Sequence, residues 1–270
     1  MLPFSPGAPE MDGFPPDTGA LFADIREKGF AVIPDVVPAT DVALARSKLD
    51  AVYALQEAET TYDIMSKIQD LDIARLPLAH DSWFLKFAAH SGVLALMRRL
   101  IGNYIVLGLQ NGIINRPGRL HPQSVWHRDL PYQEWTCSKP LAISALFCLD
   151  PFTPETGCTH VLPRSHQKDR LPPVDYVEKH AVPVSAAAGS VIIFDCMLFH
   201  RAGSNTSAQI RRGINHVYSI PLFKQQIDLP RALGRTWAED PRLAELLGYT
   251  SQSSESVKTW REARAARRGV

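Results

Sequence analysis

The 270-residue sequence carries 29 basic and 28 acidic side chains, a formal net charge of +1, with 45% hydrophobic and 21% charged residues. This composition excludes a disordered chain, and the balanced charge offers no basic field of the kind that draws a protein to nucleic acid or anionic lipid. The length and the lack of a linker-like shift in composition predict a single domain over residues 1–270 with a sizeable core.

Met1 to Pro16 holds five prolines and no basic stretch leading into an apolar run. Residues 1–18 therefore read as a loose N-terminal arm, neither signal peptide nor membrane span. Gly19 to Lys28 spaces Leu21, Phe22 and Ile25 as a helix does, and Gly29 stops it. Phe30 to Ile33 is a short β-prone run ended by Pro34. Thr40 is predicted to cap a helix running to about Glu57 with Val42, Ala45, Leu49, Val52 and Leu55 on one stripe. A second helical zone covers Ser82 to Leu100 and closes at Gly102.

From Tyr104 the periodicity shortens. Tyr104 to Leu109, Gly112 to Asn115, Ser124 to Arg128, Leu141 to Leu149, His160 to Pro163, Ser190 to Phe194 and Gly213 to Ile220 read as strands separated by Pro and Gly breaks. Strands that follow helices without βαβ alternation predict a mostly β, α+β fold: a double-sheet jelly roll, or double-stranded β-helix, with N-terminal helices packed on one face. Residues from about 225 to 270 read as a C-terminal helical extension whose Arg261, Arg264, Arg267 and Arg268 form the solvated face of a terminal helix. Cys137, Cys148, Cys158 and Cys196 make no Cys-x-x-Cys pair, so they are expected to stay reduced, in a cytoplasmic protein.

The chemistry concentrates at Trp126-His127-Arg128-Asp129. On an extended backbone His127 and Asp129 share a face and Arg128 points away, so two metal ligands would sit side by side. A facial set of two histidines and one carboxylate leaves three coordination positions open, which suits a non-haem Fe(II) oxygenase. The second histidine must come from elsewhere, and His200 follows the glycine-led strand that begins at Gly189. Eleven residues later comes Arg211, a guanidinium able to pair bidentately with the distal carboxylate of a keto acid.

Several ordered motifs strengthen this reading: Lys28-Gly29-Phe30-Ala31-Val32-Ile33-Pro34, the Trp126 to Asp129 tetrad, Leu149 to Cys158 followed by Val161 to His166, and Gly189 to His200 with Arg211. On them the chain, from about Phe22 to about Leu222, resembles the phytanoyl-CoA dioxygenase family of Fe(II)/2-oxoglutarate-dependent oxygenases. The resemblance implies a cupin-like double-stranded β-helix, iron ligated by His127, Asp129 and His200, and 2-oxoglutarate held by Arg211, with O₂ as co-substrate. Family members commonly carry a small hydroxyl residue two positions after the distal histidine; here that position is Ala202, and Ser204 is the expected substitute. Asn111 and Asn115 are further candidates for contacting the co-substrate.

Trp126, Tyr132, Trp135 and Asn215 are candidate pocket residues, and Leu130 to Lys139 and Leu171 to His180 candidate lids. Period-2 geometry turns Arg211 and Asn215 inward and Arg212 and His216 outward, and His166 is read as a loop-ordering residue. Asp129 argues against a halogenase, which needs that carboxylate replaced. The expected activity is hydroxylation of a small-molecule metabolite, with succinate and CO₂ as co-products, by a monomer or homodimer that binds neither nucleic acid nor membrane. Desaturation, epoxidation or ring rearrangement are the alternative outcomes, and a non-catalytic jelly-roll binding protein the alternative class.

Overall fold

The computed structural model describes residues 18–130, 134–266 and 268–269. The N-terminal arm as far as Asp17, the candidate pocket residue Tyr132 and the basic Arg267 lie outside the described residues. Among the described residues, short β-prone runs pair into nine strands: β1 (Phe30–Ile33), β2 (Ile73–Arg75), β3 (Val106–Asn115), β4 (Ala142–Cys148), β5 (Thr159–Val161), β6 (Val182–Val184), β7 (Val191–Asp195), β8 (His200–Ala202) and β9 (Arg211–Ser219). The larger sheet has the order β1-β7-β4-β9-β3-β2 and the smaller β6-β5-β8, with every pairing antiparallel. This is the jelly-roll architecture that the run of short strands predicts.

Both faces of the large sheet are covered, so its central strands are buried along their whole length. One side of each strand packs against helices: Ile143, Ala145, Phe147, Ile193, Ile214 and Tyr218 join Ala45, Leu49, Phe84, Phe87 and Leu96 in one apolar cluster. The alternate residues Leu146, Cys148, Ile192 and Phe194 turn toward the small sheet and meet Val161 and Val184. Each such large side chain taken fully out of water contributes about 1.5–3 kcal/mol. Helix Ala39–Glu59 lies close enough to β3 that a Cβ on Gly112 would sit 2.1 Å from Leu49 Cδ1. Glycine is needed there for close approach, not for a turn.

Several boundaries differ from the sequence reading. The helix after β1 begins at Ala39 behind Pro38 with no side-chain cap, so Thr40 lies inside its first turn. Leu55 is 59% exposed, and Tyr53 takes its place in the core, donating its ring to the cluster and its hydroxyl oxygen as acceptor for Asp72 N. The zone from Ser82 to Leu100 is a 3₁₀ turn and two helices, Leu85–Ala88 and Ser91–Leu100. The two strands expected between Tyr104 and Asn115 are one strand with a bulge at Gly108, where the pairing steps from Leu107 opposite Tyr218 to Leu109 opposite Val217. Ser124 to Arg128 is not a strand: a 3₁₀ turn, Pro122–Ser124, leads into a single bridge between His127 and His200. β2, β6 and β8, three residues each, are too short to leave a period in the sequence. The C-terminal helix Val257–Ala266 buries none of its residues. No helix among the described residues is long and apolar enough to cross a membrane.

Candidate active site

The single bridge between the Trp126 tetrad and β8 brings the ligands together. His127 N donates to His200 O and His200 N to His127 O, both at 3.0 Å, while Asp129 N reaches Cys196 O at 3.1 Å. This reciprocal pair sets the two imidazoles side by side, ring centroids 4.3 Å apart. Arg128 goes the other way, its guanidinium 4.0 Å from the Phe199 ring and donating to Ser165 O at 2.9 Å. A histidine nitrogen from each ring and an oxygen of Asp129 all lie within 4.8 Å of one another.

The histidine tautomers follow from the backbone. His127 Nδ1 is 2.8 Å from Val125 O and His200 Nδ1 is 3.0 Å from Leu198 O; because a carbonyl only accepts, each Nδ1 carries a proton, and in the neutral ring Nε2 is the nitrogen with the lone pair. Both rings are thus fixed by the carbonyl two residues upstream. His127 Nε2 is buried with no hydrogen-bond partner, as a ligand nitrogen reserved for a metal would be.

Asp129 is oriented as firmly. Its Oδ2 accepts from the Ser144 hydroxyl and, at 3.2 Å, from Asn215 Nδ2, while its Oδ1 lies 3.5 Å from His200 Nε2. Burial alone would raise its pKa, but the charge and hydrogen bond of His200, then His127 and Ser144, outweigh it and hold the carboxyl well below its usual range. Burial pulls His127 down, helped by His200. Burial also opposes protonation of His200, but the Asp129 charge wins and raises it. The ensemble is an ionised carboxylate between two imidazoles, a donor set suited to a hard-to-borderline divalent metal with positions left open.

Arg211 faces the same cavity as the triad, together with Ile113, Leu146, Thr159, Phe194, Ala202 and Asn215. Its side chain is 2% exposed, lies 4.4 Å over the Phe152 ring and donates from Nη2 to Gly157 O at 2.8 Å, while its Nε is buried without an acceptor. Gly157 adopts a positive φ of 73°, and a Cβ there would fall 2.5 Å from Gly203 O and 2.6 Å from Asn115 Nδ2. Only glycine lets that carbonyl reach Arg211. Among the described residues no carboxylate pairs with Arg211, and burial pulls its pKa down to about 10. The neighbouring Arg212 instead points to the helical side and pairs with Asp50 at 2.8 Å and Asp150 at 3.1 Å.

The remaining candidates separate. Asn215 lines the cavity but spends its amide on Asp129. Asn115 is buried beside the Arg211 anchor, donating to Gly157 O and Gly203 O, with its Oδ1 unpartnered. Asn111 does not reach the cavity: its amide accepts from Arg75 Nη1 at 2.8 Å and donates to Gln110 O at 2.9 Å. Ser204 is exposed in the loop after β8 and outside the cavity, so it does not stand in for the hydroxyl missing at Ala202. Trp126 sits outside the cavity against Leu162, Val177 and Phe199, and Trp135 against Leu130, Ala142, Met197 and Val217. His216 faces the helices beside Gln110 and Phe147, and His166 ties its loop to Arg26 O. Of the two candidate lids, one contains the helix Val174–His180 and the other includes residues outside the description. Ser144 and Thr159 went unnoticed in the sequence, because neither belongs to a motif and both reach the site through strand register alone.

Known proteins resemble this chain in sequence and in fold. The chain is 37% identical over 234 residues to the uncharacterized protein Rv1501 of Mycobacterium tuberculosis, covering 83% of this chain and 84% of that one. It is 27% identical over 242 residues to dioxygenase af480 of Aspergillus fumigatus, covering 84% and 76% respectively. In fold it is similar to SnoN, a non-haem α-ketoglutarate-dependent epimerase from nogalamycin biosynthesis, with a TM-score of 0.59 at 21% identity over 76% of this chain and 82% of the other. The family model described as phytanoyl-CoA dioxygenase matches residues 25–213, which takes in the triad and Arg211. The chain therefore belongs to the phytanoyl-CoA dioxygenase family of oxygenases.

Proposed function

We propose that this protein is an Fe(II)/2-oxoglutarate-dependent oxygenase that hydroxylates a small-molecule metabolite. The observation that carries the reading is the buried Arg211, a cation without a counter-ion among the described residues, in the wall of the cavity that holds two imidazoles and an ionised carboxylate. A buried charge left unpaired is costly, so the site is built for an anion. Two histidines and Asp129 would hold iron, and Arg211 would take the far carboxylate of a keto acid whose other end lies at the metal. Iron with 2-oxoglutarate supplies O₂ activation, the keto acid leaving as succinate and CO₂.

The chain's own residues bind and orient. Ser144 and Asn215 aim Asp129, the carbonyls of Val125 and Leu198 hold the proton of each neutral ring on Nδ1 and turn each Nε2 to the site, and Phe152 and Gly157 set the guanidinium. Leu146 and Phe194 give the cavity an apolar wall that excludes water from the reacting atoms. The four cysteines are free, three of them buried, which supports a reducing, cytoplasmic setting. The decisive experiment is O₂-dependent succinate formation with Fe(II) and 2-oxoglutarate across a panel of metabolites, with product mass determined. A gain of one oxygen supports hydroxylation. Because SnoN is named an epimerase, a product of unchanged mass would point to rearrangement instead. Absence of any 2-oxoglutarate turnover or binding would refute the reading.

A further inference from the structure

A carboxylate offers roughly four lone-pair sites, and one left dry in a closed cavity costs stability. Arg211 gives Nη2 to Gly157 O and, through its remaining N–H groups, fills about two of those sites as a fork, which leaves the others for a further donor. The position two residues after His200 contributes only the methyl of Ala202 to the cavity. Directly across the β5–β8 ladder, however, the Cα partner of Ala202 is Thr159. Thr159 is 5% exposed, lies two residues after the Gly157 carbonyl that anchors Arg211, and is the one hydroxyl residue among the described residues lining the cavity. Its hydroxyl makes no hydrogen bond with any described residue.

We infer that the Thr159 hydroxyl is the second donor to the distal carboxylate of 2-oxoglutarate beside Arg211, an inference that rests on the co-substrate reading above. The donor that a hydroxyl at position 202 would supply has moved across the ladder to the paired strand. Ser144 cannot serve, because its hydroxyl is given to Asp129. Asn215 is likewise committed. The Gln123 amide and the Arg201 guanidinium, whose Nε is buried without a partner, also lie on the cavity wall and are the rival donors.

The test is anaerobic calorimetric titration of the Mn(II)-loaded protein with 2-oxoglutarate and, separately, with oxalate, which can chelate the metal but has no distal carboxylate. Thr159→Val keeps the β-branched shape and removes the hydroxyl. It should weaken 2-oxoglutarate roughly tenfold or more, the scale of a lost hydrogen bond to a charged group, while oxalate affinity stays within about twofold. Thr159→Ser should bind like the wild type, and adding Ala202→Ser to Thr159→Val should recover most of the loss. Should Thr159→Val not fold, Thr159→Ala set against Thr159→Ser makes the same comparison. Unchanged 2-oxoglutarate affinity in Thr159→Val, equal weakening of oxalate, or a loss carried by Gln123→Leu or Arg201→Gln instead would each overturn the assignment and leave the co-substrate reading standing. Failure of the wild type to bind 2-oxoglutarate would overturn both.

Discussion

Neighbouring Arg211 and Arg212 should respond in opposite ways to the same substitution, because strand alternation sends one into the cavity and the other to the helices. In the free protein Arg211 is a liability: burial pulls its pKa down to about 10, which corresponds to about 3 kcal/mol against the charged form in the folded state. At neutral pH, below its folded and unfolded values, the group is charged in both states, so that penalty weighs on folding in full. Arg211→Gln should therefore leave the ligand-free protein as stable as the wild type or more stable by about 1–3 kcal/mol. The same change removes a charge-assisted pair from the bound carboxylate, at a cost of about 2–5 kcal/mol, so the KM and Kd for 2-oxoglutarate should rise about thirtyfold or more while metal binding persists. Lysine should rescue only in part, a point charge replacing a fork. Arg212→Gln should do the reverse. It severs the partly buried pairs to Asp50 and Asp150, costing about 1–2 kcal/mol, with little effect on KM. Thermal unfolding of the free proteins, set beside anaerobic 2-oxoglutarate titration, reads both effects. If Arg211→Gln destabilised the free protein as much as Arg212→Gln, or if Arg212→Gln carried the affinity loss, the buried unpaired cation would not be the co-substrate anchor.

His127→Ala and His200→Ala should each abolish Fe(II) binding in anaerobic titration while circular dichroism stays native, and either variant binding iron like the wild type would drop out of the ligand set. Ser144→Ala frees one side of Asp129 and should weaken metal binding about 10- to 100-fold; no change would mean that the hydroxyl does not orient the carboxylate. Burial pulls His121 and His216 each to about 3, so the unfolded chain takes up protons near pH 6.5 that the folded chain refuses. Their contribution to stability is complete above about pH 6.5 and is lost as pH falls toward 3, by up to about 2.7 kcal/mol per pH unit for the two, and His216→Gln should roughly halve that slope in urea unfolding. Gly112→Ala drives a methyl into Leu49 and should cost about 1–3 kcal/mol, less in a Leu49→Ala background; additive costs would show that the two do not share the space.

What could be read from the sequence was whatever depends on one segment at a time. The His-x-Asp spacing works because an extended backbone repeats every second residue, and it holds at His127 and Asp129 even though the segment makes one bridge and no strand. The same parity chose Arg211 over Arg212. The helix stripe held at Val42, Ala45, Leu49 and Val52 and failed at its end, where Leu55 turned outward and Tyr53 inward, while Gln56 bonds the backbone of Arg75 on β2.

Properties of pairs were hidden. Whether Asn111 reaches the cavity depends on Arg75, which arrives on β2, a strand of three residues with no sequence period of its own. Ser204 was the natural substitute for Ala202 only along the chain; the loop after β8 carries it into solvent, while antiparallel pairing sets Thr159 opposite Ala202. Register decides which side chain supplies a function, and a one-residue slip between β5 and β8 would turn Thr159 out of the cavity and bring His160 in. A donor can therefore change strands without any change in the motif that marks the site, which is why hydroxyl and carboxylate partners must be sought across the ladder as well as along the chain.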